Sequence, residues 1–319
     1  METKELTRPT LNAAYARTFQ AGKLTLGLVV PIERYAASAV PTMADHTARA
    51  QQAEALGFAA LWLRDVPFNV PSFGDAGQTF DPFTYLGYLA AATREIALGT
   101  ASIILPLRHP AHVAKSAATA DALSGGRVLL GVASGDRPEE YPAMAADFND
   151  RAARFREAVA YIRGMAESYP SFSNHYGTPS AMDMLPKPVA GQLPLLVTGS
   201  SRQSPDWIAA QSDGWITYPR AVHAQASVVS AYRKATAACG RGALPVMQSL
   251  YVDLVSDPDA SPSPIHLGFR SGSKALLAYL KELEQIGINH VALNLRFASQ
   301  EAETQLHALA REILPHFAP

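Results

Sequence analysis

Three stretches of the chain gather small and hydroxyl-bearing residues after a run of apolar ones: LGTASIILPLRHP, LLGVASGDRPEEYP and LLVTGSSRQSPDW. Gly99, Thr100, Ala101 and Ser102 lie in the first, Ser134 and Gly135 in the second, Gly199, Ser200 and Ser201 in the third. Side chains of this size let a flat ring or a phosphate approach the backbone closely. The third stretch runs into a helix expected to start near Ser204, where free N–H groups and hydroxyls would make an anion site. Packed interiors also demand small residues, so a single cluster would decide nothing. Three at successive strand ends point to a cofactor floor. Arg64 and Asp65 leave another apolar run, and two readings stay open for them: polar groups at an active face, or a structural ion pair. Arg108, Arg137, Tyr218 and Arg220 also follow apolar runs, facing either an anionic ligand or solvent.

Strands must present these residues. Near-continuous apolar runs, as expected for parallel strands covered on both faces, predict strands at 24–30, 59–63, 96–104, 128–132, 195–198, 214–217, 246–254 and 290–295. Helical patterns fill the gaps. Thr42 is expected to cap one helix that Gly57 closes, and Leu276, Leu280 and Leu283 mark another. Ala302, Leu306, Leu309 and Ile313 mark the last. This alternation predicts an α/β fold, a (β/α)8 barrel, with a doubly wound open sheet as the alternative. Residues 1–22, with Leu11, Tyr15 and Phe19 at helical spacing, read as an N-terminal arm packed on the barrel or on a second subunit. The barrel domain is then 23–319. Residues 168–192 read as an inserted loop, and 256–273 as a mobile loop that is either a lid or inert surface.

Composition narrows the function. Of 319 residues, 48% are hydrophobic and 17% charged, and the net charge is −1. Disorder is excluded, and nothing favours capture of nucleic acid or an anionic membrane. Cys239 is the single cysteine, so neither an intrachain disulfide nor a thiolate metal cluster can form. His109 and His112 would share a helix face, but no carboxylate partner completes a metal shell. Motifs of Rossmann dehydrogenases, P-loop NTPases, zincins and α/β-hydrolases are absent. With no secretory signal pattern and no long apolar run, a soluble cytoplasmic protein with a small-molecule substrate is expected.

The stretches QQAEALGFAALWLRD, LGTASIILPLRHPAHVAKSAATADALSGGRVLLGVASG and PLLVTGSSRQSPDWIAAQSDGWI resemble the bacterial-luciferase-like flavin monooxygenases. The resemblance runs from Leu24 to Thr217, and LSGGR before a strand is its most specific element. It implies a barrel that binds FMN, or in some relatives a deazaflavin, at the C-terminal ends of its strands. Ala101 and Ser102 match a bulge behind the flavin ring that often contains a non-prolyl cis peptide. Ser134 matches a flavin contact, Tyr141 a tyrosine near the cofactor, and Ser200, Ser201 and Ser204 the phosphate turn that Gly199 opens. The implied activity is an FMN-dependent monooxygenase using reduced flavin and O2, with a separate flavin reductase as electron source and a homodimeric assembly. A deazaflavin-dependent dehydrogenase and a non-catalytic flavin-binding protein are the alternatives. The chain departs from luciferase itself. Arg64-Asp65-Val66-Pro67 replaces its histidine pair, Ala133 its reactive cysteine and Ser134 its phosphate arginine. Light emission from a long-chain aldehyde is not expected, and Arg64 and Asp65 become the candidate catalytic groups.

Overall fold

A computed structural model of the chain describes residues 11–317. β1 (Thr25–Val29) pairs in parallel with β2 (Ala60–Leu63), and β2 with β3 (Ala97–Thr100). A two-residue strand, β4 (Ile103–Ile104), resumes after Ala101–Ser102 and pairs with β5 (Val128–Ala133), which also pairs with β3. β6 (Leu195–Thr198), β7 (Gly214–Thr217) and β8 (Val246–Leu254) follow in spatial order. After a hairpin of β9 (Ser263–Ile265) and β10 (Gly268–Ser271), β11 (His290–Asn294) pairs with β8 on one side and β1 on the other. That last pairing closes the ring. The fold is a (β/α)8 barrel, and the open sheet is excluded.

The helices are α1 (Ala13–Thr18), α2 (His46–Ala55), α3 (Pro82–Ala92), α4 (Pro110–Ser124), α5 (Glu140–Ala143), α6 (Arg151–Gly164), α7 (Pro205–Gln211), α8 (Val222–Ala238), α9 (Ser273–Gln285) and α10 (Ala302–Glu312). The strands read as unbroken apolar runs because both of their faces are dry. Leu26, Leu61, Leu98, Leu130, Val197 and Leu293 pack outward in the layer shared with the helices. Val29, Ala60, Trp62, Leu129, Leu196, Met247 and Ala292 fill the interior. Leu276, Leu280 and Leu283 of α9, and Leu306 and Leu309 of α10, face the core as their spacing predicts.

The described part of the N-terminal arm plugs the barrel's N-terminal end, where Leu11, Tyr15 and Phe19 join the interior cluster. Asn12 fastens the plug: its side chain accepts from the Tyr15 N–H at 2.9 Å and donates to the Val128 carbonyl at 2.8 Å. The Tyr15 hydroxyl donates to the Asp213 carbonyl at 2.7 Å. Residues 1–10 of the expected arm lie outside the described residues.

Above the plug, the Trp62 indole N–H donates to Nε2 of His290 at 2.8 Å. Because indole can only donate, Nε2 is the unprotonated nitrogen, and Nδ1 carries the proton toward the Thr25 hydroxyl 2.7 Å away. Burial favours the neutral ring and lowers the His290 pKa to about 3. In the unfolded chain a histidine titrates near the ordinary value of about 6.5. The unfolded state therefore binds more protons between these values, and folding loses stability as pH falls from 6.5 toward 3. The stability difference between the wild type and a His290→Gln variant should shrink by about 1.4 kcal/mol per pH unit below 6.5. Urea unfolding of both proteins at pH 7, 6 and 5 measures it; a difference independent of pH would show that His290 takes up a proton in the fold as readily as in the unfolded chain.

Two expected details change. Thr42 is not the cap of α2. The helix starts at His46 after Asp45 in a left-handed conformation (φ 54), and the Thr42 hydroxyl instead accepts from the Ala44 N–H at 3.0 Å. Residues 256–273 are not an unstructured loop: β10 runs along the outer half of β8, with Gly268 to Ser271 opposite Tyr251 to Leu254. The inserted segment 168–192 stays irregular, with a single bridge between Asn174 and Gly177.

Candidate active site at the C-terminal mouth of the barrel

Alternation along the strands decides what reaches the mouth. Counting by twos from interior residues leads from Ala97 to Ala101, from Leu129 to Ala133, from Leu196 to Thr198 and from Met247 to Ser249. Within the barrel strands nearly every residue is buried, yet Ala133, Thr198 and Ser249 are half-buried, as are Ala101 and Ser102 just past β3. They form the floor of an open cup. The Ala101–Ser102 peptide is cis, and the Ser102 and Thr198 hydroxyls are hydrogen-bonded to each other. Small side chains on a concave floor suit a flat ring system.

Not every small residue serves that floor. A Cβ on Gly99 would lie 2.3 Å from the Trp62 ring, so Gly99 is the seat of the tryptophan. Ser134 is buried, and its carbonyl accepts from the Tyr141 hydroxyl. Tyr141 is itself fully buried against Ile104, Leu107 and Phe148. The pair braces the loop after β5, and the ring of Tyr141 does not face the cup.

The expected phosphate turn stands at the rim after β6. Gly199, Ser201 and Arg202 all have positive φ (56, 41 and 60), a conformation that costs energy for non-glycine residues and turns successive N–H groups to one side. The Ser200 and Ser201 amides donate to no group among the described residues. Ser200 is exposed, whereas the Ser201 hydroxyl is turned inward, donating to the Thr198 carbonyl at 2.7 Å. Ser204 caps α7 by accepting from the Trp207 N–H at 3.2 Å. Ser200 and the two amides are therefore the groups available to an anion. The ring of Tyr218 covers Gly199, where a Cβ would lie 3.1 Å from it.

On the opposite wall, Arg64 continues the inward row Ala60–Trp62–Arg64. Its Nη2 donates to Oδ2 of Asp75 at 2.8 Å, and Tyr251 lies beside it. Burial works against the Asp75 carboxylate, but Arg64, the Gly77 N–H and Arg296 outweigh it and hold its pKa below the ordinary range. Asp65 points the other way. It is fork-bonded by Arg108 at 2.9 and 2.7 Å, accepts from the Ile104 N–H at 3.1 Å, and its side chain is 1% exposed. The geometry of Asp65 is that of a structural ion pair. Arg137 is buried and donates to the Asp75 carbonyl at 3.0 Å, while Arg220 bonds Thr217, Tyr218 and Gln225. Behind Arg137, burial raises the Glu140 pKa to about 7, with Arg137 opposing the shift.

The barrel matches known proteins. Residues 24–313 fit the model of the family described as luciferase-like monooxygenase. The chain belongs to that family. An uncharacterised protein of Mycobacterium tuberculosis is 33% identical over 227 residues, spanning 66% of this chain and 80% of that one. The F420-dependent hydroxymycolic acid dehydrogenase of the same organism is 31% identical over 199 residues, 61% of this chain and 54% of that one. The solved monooxygenase RslO1 from Streptomyces bottropensis superposes with a TM-score of 0.78 at 19% identity, covering 92% of this chain and all of that one. This luciferase-like chain is thus an oxidoreductase of a family whose members are named for monooxygenase and for F420-dependent chemistry. No helix among its described residues is long and apolar enough to cross a membrane.

Sequence reasoning missed Tyr35, Asp75, Tyr251 and Arg296, which surround Arg64. The two-residue alternation carried a signal for two of them: Met247–Ser249–Tyr251 and Ala292–Asn294–Arg296 continue interior rows to the mouth.

Proposed function

We propose that the chain is an FMN-dependent monooxygenase that uses reduced flavin and O2 to oxidise a small organic molecule. The observation that carries the reading is the 199–204 turn, whose unpaired amides and exposed Ser200 hydroxyl suit a terminal phosphate at the rim of a cup floored by small residues. Bound FMN would supply the oxygen chemistry. The chain's own residues bind and orient: Ser200 and the amides hold the phosphate, Ala101, Ser102, Ala133, Thr198 and Ser249 support the ring, and Arg64 and Tyr251 set polarity on the substrate side. A second reading, the deazaflavin-dependent dehydrogenase, has support from the F420-dependent relative. Removing hydride from an alcohol also leaves a hydroxyl proton that needs an acceptor. Asp65 is held in the wall by Arg108, which favours the oxygen route.

With no nicotinamide motif in the chain, reduced FMN is expected from a separate reductase. Fluorescence titration with FMN and with F420 distinguishes the cofactors. Ser200→Ala should weaken FMN binding by about 2 kcal/mol, roughly thirtyfold, the value of one hydrogen bond to a charged group. Oxygen uptake and hydrogen peroxide release are then followed with chemically reduced FMN. A reoxidation rate and peroxide yield equal to those in buffer alone would rule out the monooxygenase reading. Tight F420 binding without FMN binding would establish the deazaflavin one.

A further inference from the structure

Asp75 sits in a set of donors that its own loop contributes little to. Its Oδ2 accepts from Nη2 of Arg64 at 2.8 Å and lies 2.9 Å from Nη1 of Arg296. Its Oδ1 accepts from the Tyr35 hydroxyl at 3.2 Å and the Gly77 N–H at 2.9 Å. The carboxylate's acceptor capacity is filled. Tyr35, Arg64 and Arg296 follow β1, β2 and β11, which are neighbours in the sheet, so the barrel itself fixes three of the four donors. Asp75 instead rides on a loop that turns through two left-handed glycines, Gly74 (φ 71) and Gly77 (φ 59). That loop lies on Arg64 so closely that a Cβ on Gly77 would be 2.2 Å from Nη2.

Three cations face two carboxylates: Asp75, and the buried Glu140, whose Oε1 lies 3.8 Å from Nη1 of Arg137. Arg137 and Arg296 are 6% and 8% exposed; Arg296 joins Arg64 on the Asp75 carboxylate, while Arg137 reaches only the Asp75 backbone carbonyl. Nε of Arg64 and Nε of Arg296 have no hydrogen-bond partner among the described residues, whereas Nη1 of Arg137 already faces Glu140. Buried guanidinium nitrogens are seldom left unbonded in a finished ion-pair network. They are expected where a further acceptor joins.

We propose that Asp75 stands in for the substrate's carboxylate: Arg64, Arg296 and Tyr35 form a carboxylate site at the barrel mouth, which an acidic substrate enters by displacing the Asp75 loop. This rests on reading the mouth as the substrate side of the oxidoreductase site. One carboxylate replaces another, so the charge balance of the cluster is kept, while the Gly74 and Asp75 carbonyls that accept from Arg296 and Arg137 leave with the loop. While Asp75 occupies the site, the apparent affinity for a competing carboxylate is reduced by the fraction of molecules in which the site is open.

The test uses flavin-free full-length protein and acetate as the probe, with sulfate and phosphate at matched ionic strength. Calorimetric titration should show acetate binding at least tenfold more tightly to Asp75→Asn than to the wild type, with a smaller gain for the tetrahedral anions. The gain should vanish in Asp75→Asn/Arg64→Gln. In the wild type, acetate should accelerate hydrogen exchange of the Ala76 amide, because its acceptor, the Ala39 carbonyl 2.8 Å away, stays behind when the loop moves; this readout needs no substitution and decides the matter even if Asp75→Asn does not fold. Absence of the acetate gain in folded Asp75→Asn, its survival in the double variant, equal gains for all three anions, or Ala76 exchange indifferent to acetate would each overturn the proposal. Because no flavin is present, these outcomes are independent of whether FMN binds.

Discussion

Replacing Arg108 by methionine is expected to destabilise the fold by about 3–5 kcal/mol, the usual consequence of stripping the partner from a buried charge. The Asp65 carboxylate would remain with the Ile104 N–H alone, its side chain 1% exposed in the wall between β2 and the β4 segment. Methionine keeps the apolar contact that the arginine stem makes, so most of the loss reports the Asp65 charge; the second contact of Arg108, to the exposed Asp81 at 3.2 Å, adds little. Denaturant unfolding should show the loss. Asp65→Leu added to Arg108→Met should recover part of it, since an apolar pair of similar volume is often neutral relative to a buried ion pair. This comparison separates the two readings of Asp65. A structural pair gives a large coupling in stability and leaves FMN affinity intact in whatever protein folds. If Asp65 were instead a reacting group, Asp65→Leu would abolish turnover while the unfolding midpoint of Arg108→Met stayed near the wild-type value.

Asp65 also shows how far the chain could be read before its structure. The eight strands were legible because a parallel strand buried on both faces needs an apolar run, and every expected range overlaps an observed strand. The clusters at 101–102 and 199–204 were legible because their residues are adjacent in sequence and sit where strands end. The cluster around Asp75 was not. Tyr35, Arg64, Asp75, Tyr251 and Arg296 are far apart in the chain and meet only when β11 closes on β1. Nor could composition say that Arg64 turns into the mouth while Asp65, one residue on, turns into the wall. That follows from strand register, which needs the interior side to be known first. Thr42 failed as a cap for a local reason: Glu33, nine positions upstream, accepts from the Thr42 and Met43 N–H groups at 2.9 and 3.0 Å and holds the chain away from a helical start.

The small-residue signal itself had two sources, and Gly99→Ala separates them. If Gly99 belonged to the cofactor floor, a methyl there would lower FMN affinity and leave folding alone. The structure places the new Cβ 2.3–2.4 Å from two carbons of the Trp62 ring, closer than any real contact. Trp62 cannot step aside: it is fully buried, and its N–H is held by His290 at 2.8 Å, which is held in turn by Thr25. The backbone of β3 cannot retreat either, because Leu98 and Gly99 are locked in register between β2 and β5. Overpacking a well-filled core typically costs about 1–3 kcal/mol, and with both the ring and the strand pinned Gly99→Ala should reach the upper end, about 3 kcal/mol. Trp62→Phe on the same background relieves the crowding with a smaller ring. The double variant should therefore be more stable than the sum of the two single changes, a coupling that only direct contact produces. Thermal unfolding of the four proteins, with FMN titration of each, provides the measurement. Unchanged stability with weakened FMN binding in Gly99→Ala would return Gly99 to the floor of the cup.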